Sequence, residues 1–132
     1  MKILPNLMIE KLITIDTARL AKEKGFDQNG ITWLFYEENG RMFNNLEDIG
    51  NQDYICCTQE LLKKWLREKK GIHVNPEPYQ ETADHTFEIT GYFVGQINTT
   101  DGKMISPGDD NYSTYEEALE KGLQIGLKHI EL

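Results

Sequence analysis

The clearest alternation of apolar and polar positions lies in TQELLKKWLREKKGIHV, residues 58–74. At about 100° per residue, Leu61, Leu62, Trp65 and Leu66 share one arc, which predicts a helix with that arc on the core. Thr58 is placed to cap it, Glu60 sits in its first turn and Gly71 ends it. A shorter helix is predicted over DTARLAKEKGF, with Asp16 as N-cap, Lys24 near its end and Gly25 as the stop. A third closes the chain in STYEEALEKGLQIGLKHIEL, where Thr114 and Glu117 have capping-box spacing and the helix runs towards Ile130.

Strand patterns fall between these helices. ITWLFYEENGRMF is rich in strand formers and broken by Asn39-Gly40, a dipeptide that supplies the positive φ angles of a tight hairpin turn, so 31–38 should pair with 41–45. IHV reads as a short strand and HTFEITGYFVGQI as a longer one, with the TTDGK turn folding KMI back against it. Gly91 and Gly95 lie on one face of that longer strand, the usual sign of a bulge or a close-packed helix. NNLEDIGNQD and NPEPYQETADH read as mobile loops, and residues 1–12 as a leader without a defined element. The pattern predicts a single domain over 1–132 of the α+β class, three helices on a mainly antiparallel sheet, in the order α-ββ-α-βββ-α.

Composition adds little: 132 residues suffice for a core, and 39% hydrophobic with 27% charged residues is the balance of a folded chain. Charge changes the picture more. A net charge of −8 repels phosphate over most of the surface and excludes broad wrapping of nucleic acid. The 58–70 helix runs against that trend with a net +3, leaving −11 for the rest. Lys64 has Glu60 and Glu68 four residues to either side, and Lys69 and Lys70 complement the helix dipole. The remaining stripe, Lys63, Arg67 and Lys70, should face solvent, either as a plain wet face or as a contact for an acidic protein partner. A nucleic-acid regulator is the alternative, although three charges are few for holding DNA at ordinary salt.

The apolar positions of the last helix, from Tyr115 to Ile130, cover more than one packed side needs. Ala118, Gly122 and Gly126 form a ridge of small residues suited to close packing on the chain's own sheet, under Gly91 and Gly95. Ile125 and Leu127 mark the two edges of the arc, which predicts that one faces the sheet margin and the other a second subunit in a homodimer. Alternatively, Ile3, Leu4, Leu7 and Met8 of the leader fold back over that flank.

Candidate chemistry is sparse. The two cysteines are adjacent, Cys56-Cys57, outside any C-x-x-C pattern, which argues against a disulfide framework and a zinc site. Cys57 precedes a helix start, so a nucleophile activated by His73 or His85 is conceivable, against the simpler reading of a structural cysteine. His85 with Asp84, Asp109 or Asp110 reads as solvated turn chemistry before it reads as a metal site. Glu37-Glu38 and Glu116-Glu117 each point to different sides of their elements, so neither forms an acid–base dyad. Phosphate-loop, dinucleotide and nucleophile-elbow motifs are absent, and no catalytic, cofactor-binding or metal residue is assigned. Pro5, Asn6, Glu10 and Lys11 interrupt the apolar start, no small-residue cleavage site follows and no run is long enough for a bilayer, so a cytoplasmic location is expected.

TQELLKKWLREKKGIHV, HTFEI and YSTYEEALEKGLQIGLKHI, preceded by ARLAKEKGF, resemble a group of small uncharacterised proteins that recur in phage, prophage and gut-bacterial genomes. The W-L-R-E-K…G-I-H and T-Y-E-E-A-L pieces carry the likeness, while the leader before Ile13 and NPEPYQETAD depart from it. The resemblance implies a mobile-element setting and brings no activity, cofactor or site residue. The reading from sequence is therefore a non-enzymatic accessory protein acting through contacts with an unidentified protein partner, with a nucleic-acid regulator second and a small enzyme third.

Overall fold

Each helix begins at a threonine whose side chain takes up an orphan backbone donor, and these caps set the frame of the fold. In the computed structural model, which describes residues 11–26, 34–44, 54–84, 86–108 and 110–130, α1 is Ile15–Glu23, α2 is Gln59–Lys70 and α3 is Tyr115–Lys128. Thr58 Oγ1 accepts from the Leu61 N–H at 3.1 Å and Thr114 Oγ1 from the Glu117 N–H at 3.1 Å, as the spacing predicts. For α1 the cap is Thr14 and not Asp16, which sits in the first turn instead. The stop is as expected. The Gly25 N–H reaches Lys22 O and the Phe26 N–H reaches Ala21 O, a paired bonding that leaves Gly25 left-handed.

The strands are β1 Leu34–Tyr36, β2 Met42–Asn44, β3 Tyr54–Ile55, β4 Ile72–His73, β5 Glu77–Ala83, β6 Thr86–Phe93, β7 Ile97–Thr99 and β8 Met104–Ile105. All their pairings are antiparallel, in the α+β arrangement predicted, but they form three small sheets, β2-β1-β3, β4-β7-β8 and the hairpin β5-β6. The long strand expected over HTFEITGYFVGQI divides because the chain turns at Gly95, whose φ is +75°. In the β1–β2 turn only Gly40 takes a positive φ. Glu37 O accepts from the Gly40 N–H and the Glu37 N–H bonds Arg41 O, which makes a three-residue loop in place of the two-residue one expected.

The largest departure is β5. NPEPYQETADH reads as a loop because Pro76, Pro78 and a run of polar residues weaken the strand signal, yet Glu77–Ala83 pairs along its length with β6. Pro78 is tolerated because β6 is the strand's only neighbour among the described residues, leaving one side free of ladder bonds. The bulge expected near Gly91 is present, since Tyr79 faces Gly91 while Gln80 faces Ile89. A Cβ at Gly91 would lie 1.9 Å from Asn111 Oδ1 and 2.9 Å from Tyr112 O, so the residue admits the Asn111 side chain and the passing 112 backbone. That backbone is tied to β6 by two Tyr92–Tyr112 main-chain bonds of 2.8 and 2.7 Å.

The core lies where α3 packs between α1 and α2 and over Ile72, Val74 and Val94, with Ile13, Leu62, Leu66, Val74, Ile97, Leu119, Leu123 and Leu127 fully buried. The small-residue ridge does bring backbones close, but against Ile72, Val74 and Val94 and not under Gly91 and Gly95. A Cβ at Gly122 would come within 2.6 Å of Val74 Cγ1. Trp65 is buried, and its aromatic neighbour is Phe26 just past α1, at 5.1 Å between ring centroids and edge-on. Among the described residues no helix is long and apolar enough to cross a membrane.

Candidate functional site

Cys56 and Cys57 are buried, and burial raises both thiols. Cys57 is pushed up to about 12, with the neighbouring Cys56 and the Glu120 carboxylate adding to the effect of burial. The helix start beside Cys57 therefore does not yield a thiolate. His73 turns its Nε2 to the Thr100 hydroxyl at 3.1 Å. Asp84 and Asp110 are exposed, while His85 and Asp109 lie outside the described residues. No cluster of three metal-ligating side chains occurs among the described residues.

The basic stripe on α2 is not uniform. Arg67 and Lys70 are exposed, with the Lys70 ammonium 5.6 Å from the centre of the Trp65 ring. Lys63 is not on the wet side as expected. Its ammonium lies 3.8 Å from Glu60 and donates to the Tyr115 hydroxyl at 3.4 Å, so the side chain lies largely covered between α2 and the start of α3. Glu60 thus pairs with Lys63, leaving Lys64 to Glu68 at 4.0 Å.

The two edges of the α3 arc also separate. Leu127 is fully buried within the chain, and Ile125 is half-buried against the same core. α1, α2 and the side chains of Ile72, Val74 and Val94 enclose α3 on more than one side. The leader residues proposed as an alternative cover lie outside the described residues.

Among the described residues, two of the exposed large apolar side chains lie elsewhere, on the β5–β6 hairpin. Its root is well held: Tyr79 stacks on Phe93 with centroids 4.6 Å apart, and Tyr92 meets Tyr115 edge-on at 6.2 Å. Beyond the bulge, every described residue from 80 to 90 is exposed. The hairpin therefore projects as an arm. Cross-strand register puts Phe87 opposite Thr82 and Ile89 opposite Gln80, so both apolar side chains stand on one face, 66% and 47% exposed. The other face sets Glu81 directly opposite Glu88, a like-charge pair that disfavours the hairpin in isolation. From Gly71 to Gly102 the chain has no Lys or Arg and five acidic residues.

A groove of about 1020 Å³ lies at the other end of the β4–β7 ladder, where Ile72 pairs with Thr99. Ile72, Met104, Ile105 and Ile130 supply its apolar lining, and Lys70 and Lys103 stand on it. Met104 is 68% exposed. The turn beneath is fixed: the Lys103 N–H donates to Thr99 Oγ1 at 2.9 Å, and the Thr99 hydroxyl donates to Asp101, holding that carboxyl below its usual range. Sequence reasoning missed both surfaces. The T-F-E-I-T alternation and the absence of cations over 71–102 were the available signals for the arm. No protein family, curated protein or solved structure matches the chain significantly.

Proposed function

We infer that this chain is a non-enzymatic accessory protein that works in the cytoplasm through protein–protein contact, with the β5–β6 arm as its contact element. The observation that carries this is the pair Phe87 and Ile89, exposed side by side on a hairpin that leaves the core. Large apolar side chains so placed add nothing to the packed interior and mark a contact surface. A two-stranded hairpin is marginal by itself, so an arm held only at its root gains order from whatever covers it. Buried, protonated thiols fit a chain that does no nucleophilic chemistry. The likeness of W-L-R-E-K…G-I-H and T-Y-E-E-A-L to phage-associated proteins supports a mobile-element setting. The nucleic-acid reading rests on Arg67 and Lys70, since Lys63 is engaged by Glu60 and Tyr115.

A photo-reactive residue at position 87, compared with one at the exposed Lys121, tests the reading in cells that naturally carry the gene. Protein adducts at 87 that are missing at 121 are expected. Equal labelling at both positions would contradict it, and nucleic-acid adducts from a probe at Arg67 would favour the regulator.

A further inference from the structure

We propose that the outward face of the β4-β7-β8 sheet is a binding site for a neutral carbohydrate, held between the side-chain amides of Asn75, Gln96 and Asn98 and the ring of Phe93. Burial alternates along these strands. Val74 and Ile97 are buried on the core side, while Asn75, Gln96 and Asn98 are exposed on the other. The ladder sets His73 and Met104 on either side of Asn98, and two residues further along the same face come Asn75, Gln96 and Ser106. These polar side chains form the floor of a cleft of about 530 Å³, within the range of about 300–1,000 Å³ usual for small-molecule sites. Glu77, Phe93 and Pro107 stand around it.

The root of the hairpin builds one wall. Glu77 pairs in register with Phe93, which puts a carboxylate beside the ring, and Tyr79 stacks on Phe93 at 4.6 Å between centroids and holds it in place. A Cβ at Gly95 would lie 3.1 Å from Glu77 Oε2 and 3.2 Å from Asn75 O, so wall and floor meet there with no side chain between them. The lining selects the ligand by its chemistry. No Lys, Arg or His stands among its described residues, so a phosphate or carboxylate ligand would meet Glu77 without a counter-charge. One carboxylate is also too little charge to draw a divalent cation out of water. Phe93 and Pro107 are the apolar side chains of the lining, too few for a lipid chain. The match is a ring with hydroxyls on its edge and C–H groups on its face. Each amide offers two N–H donors beside a carbonyl acceptor, the pattern that neighbouring hydroxyls satisfy, and Glu77 adds an acceptor. The C–H groups would rest on the electron-rich face of Phe93. Along β5, Glu77 stands on the opposite face to Gln80 and Thr82, the partners of Ile89 and Phe87, so the cleft is separate from the arm's contact surface.

Nitrogen–proton NMR spectra of the labelled chain, titrated into the millimolar range with neutral trisaccharides of glucose, mannose, galactose and N-acetylglucosamine, test this. At least one of these sugars is expected to shift the side-chain NH2 signals of Asn75, Gln96 and Asn98 together with the backbone signals of Gly95 and Gly108, and to leave those of Phe87 and Lys121 in place. Q96A/N98A should weaken that binding roughly tenfold or more. Both side chains are exposed, so the variant should melt within a few degrees of wild type. A trisaccharide of the corresponding uronic acid should bind more weakly than the neutral sugar, and E77Q should narrow that gap. Spectra unmoved by every neutral trisaccharide overturn the proposal, as do shifts confined to residues outside the cleft or binding that Q96A/N98A leaves unchanged. Adenosine or uridine moving the same signals where no sugar does also overturns it, since a stacked base would then be the ligand.

Discussion

The Gln59 amide donates to Glu120 Oε1 at 2.8 Å, joining the first turn of α2 to the middle of α3. The same carboxylate accepts, through Oε2, from the Thr14 N–H at 3.0 Å, from the Thr14 hydroxyl at 2.9 Å and from the Thr17 hydroxyl. Two helix N-termini thus converge on one anion, where their dipoles favour negative charge. Thr17 and Gln59 are the two buried polar side chains of the described residues, and both depend on Glu120. Gln124 adds a donor to the Thr17 hydroxyl at 3.0 Å.

Glu120→Ala should therefore destabilise the fold by about 2–3 kcal/mol, because it strands buried donors as well as deleting charged hydrogen bonds. The denaturation midpoint in urea measures this. A loss below about half a kcal/mol, the usual size for a surface change, would show that the three helices do not depend on this junction.

Trp65→Ala should cost about 3–5 kcal/mol, since it empties a buried aromatic site and leaves Phe26 without its edge-on neighbour. Phe26→Ala in the same background should cost less than it does alone, because the two rings share one contact. Additive losses in a double-mutant cycle would mean that the rings pack independently.

Gly122→Ala trades a gain in helix propensity of about 1 kcal/mol against a Cβ placed 2.6 Å from Val74 Cγ1. Overpacking of a closed core costs about 1–3 kcal/mol, so a net loss is expected. Trimming Val74 to Ala should turn Gly122→Ala from a loss into a gain. If the sign of Gly122→Ala is the same in both backgrounds, α3 does not approach Val74 as closely as described.

The thiols supply a pH dependence with a definite sign. Cys57 is raised from an ordinary value near 9 to about 12 by burial, so between these values the unfolded chain gives up its proton while the folded chain keeps it. Stability from this group is complete below pH 9 and falls as pH rises towards 12, by up to about 1.4 kcal/mol per pH unit. Cys57→Ala should flatten the unfolding free energy over that window. The native chain should also resist alkylation at pH 8 until denaturant is added. Rapid labelling of native Cys57 would contradict the burial.

Much of the fold could be read from sequence, because the decisive signals were local. Thr58, Thr114, Gly25 and Gly71 each announce a helix boundary through their own backbone chemistry. The α1 cap was misplaced by two residues because Thr14 and Asp16 are both good capping residues, and the choice depends on Thr17 and on Glu120, more than a hundred positions away. Helical periodicity places Lys63 on the wet side because it carries no information that Tyr115 comes to rest beside it. That Leu127 is buried within the chain is not legible from the α3 arc, because one helix alone does not reveal that α1 and α2 flank it. The arm was lost for a different reason. The outer part of the hairpin buries little, so β5 lacks the apolar alternation that identifies a packed strand, and Pro78 argues against a strand until β6 is known to be its only strand neighbour among the described residues.

The native size of the chain, recovered from cells that carry its gene, tests the contact role of the arm most directly when the wild type is compared with F87S/I89S. Both side chains are exposed, so the double substitution should leave the melting temperature within a few degrees of wild type. The wild type should run as a complex larger than one chain, and the variant, equally stable, as a monomer. If the two run at the same size, or if the variant loses its fold along with its contacts, Phe87 and Ile89 do not form the contact surface described here.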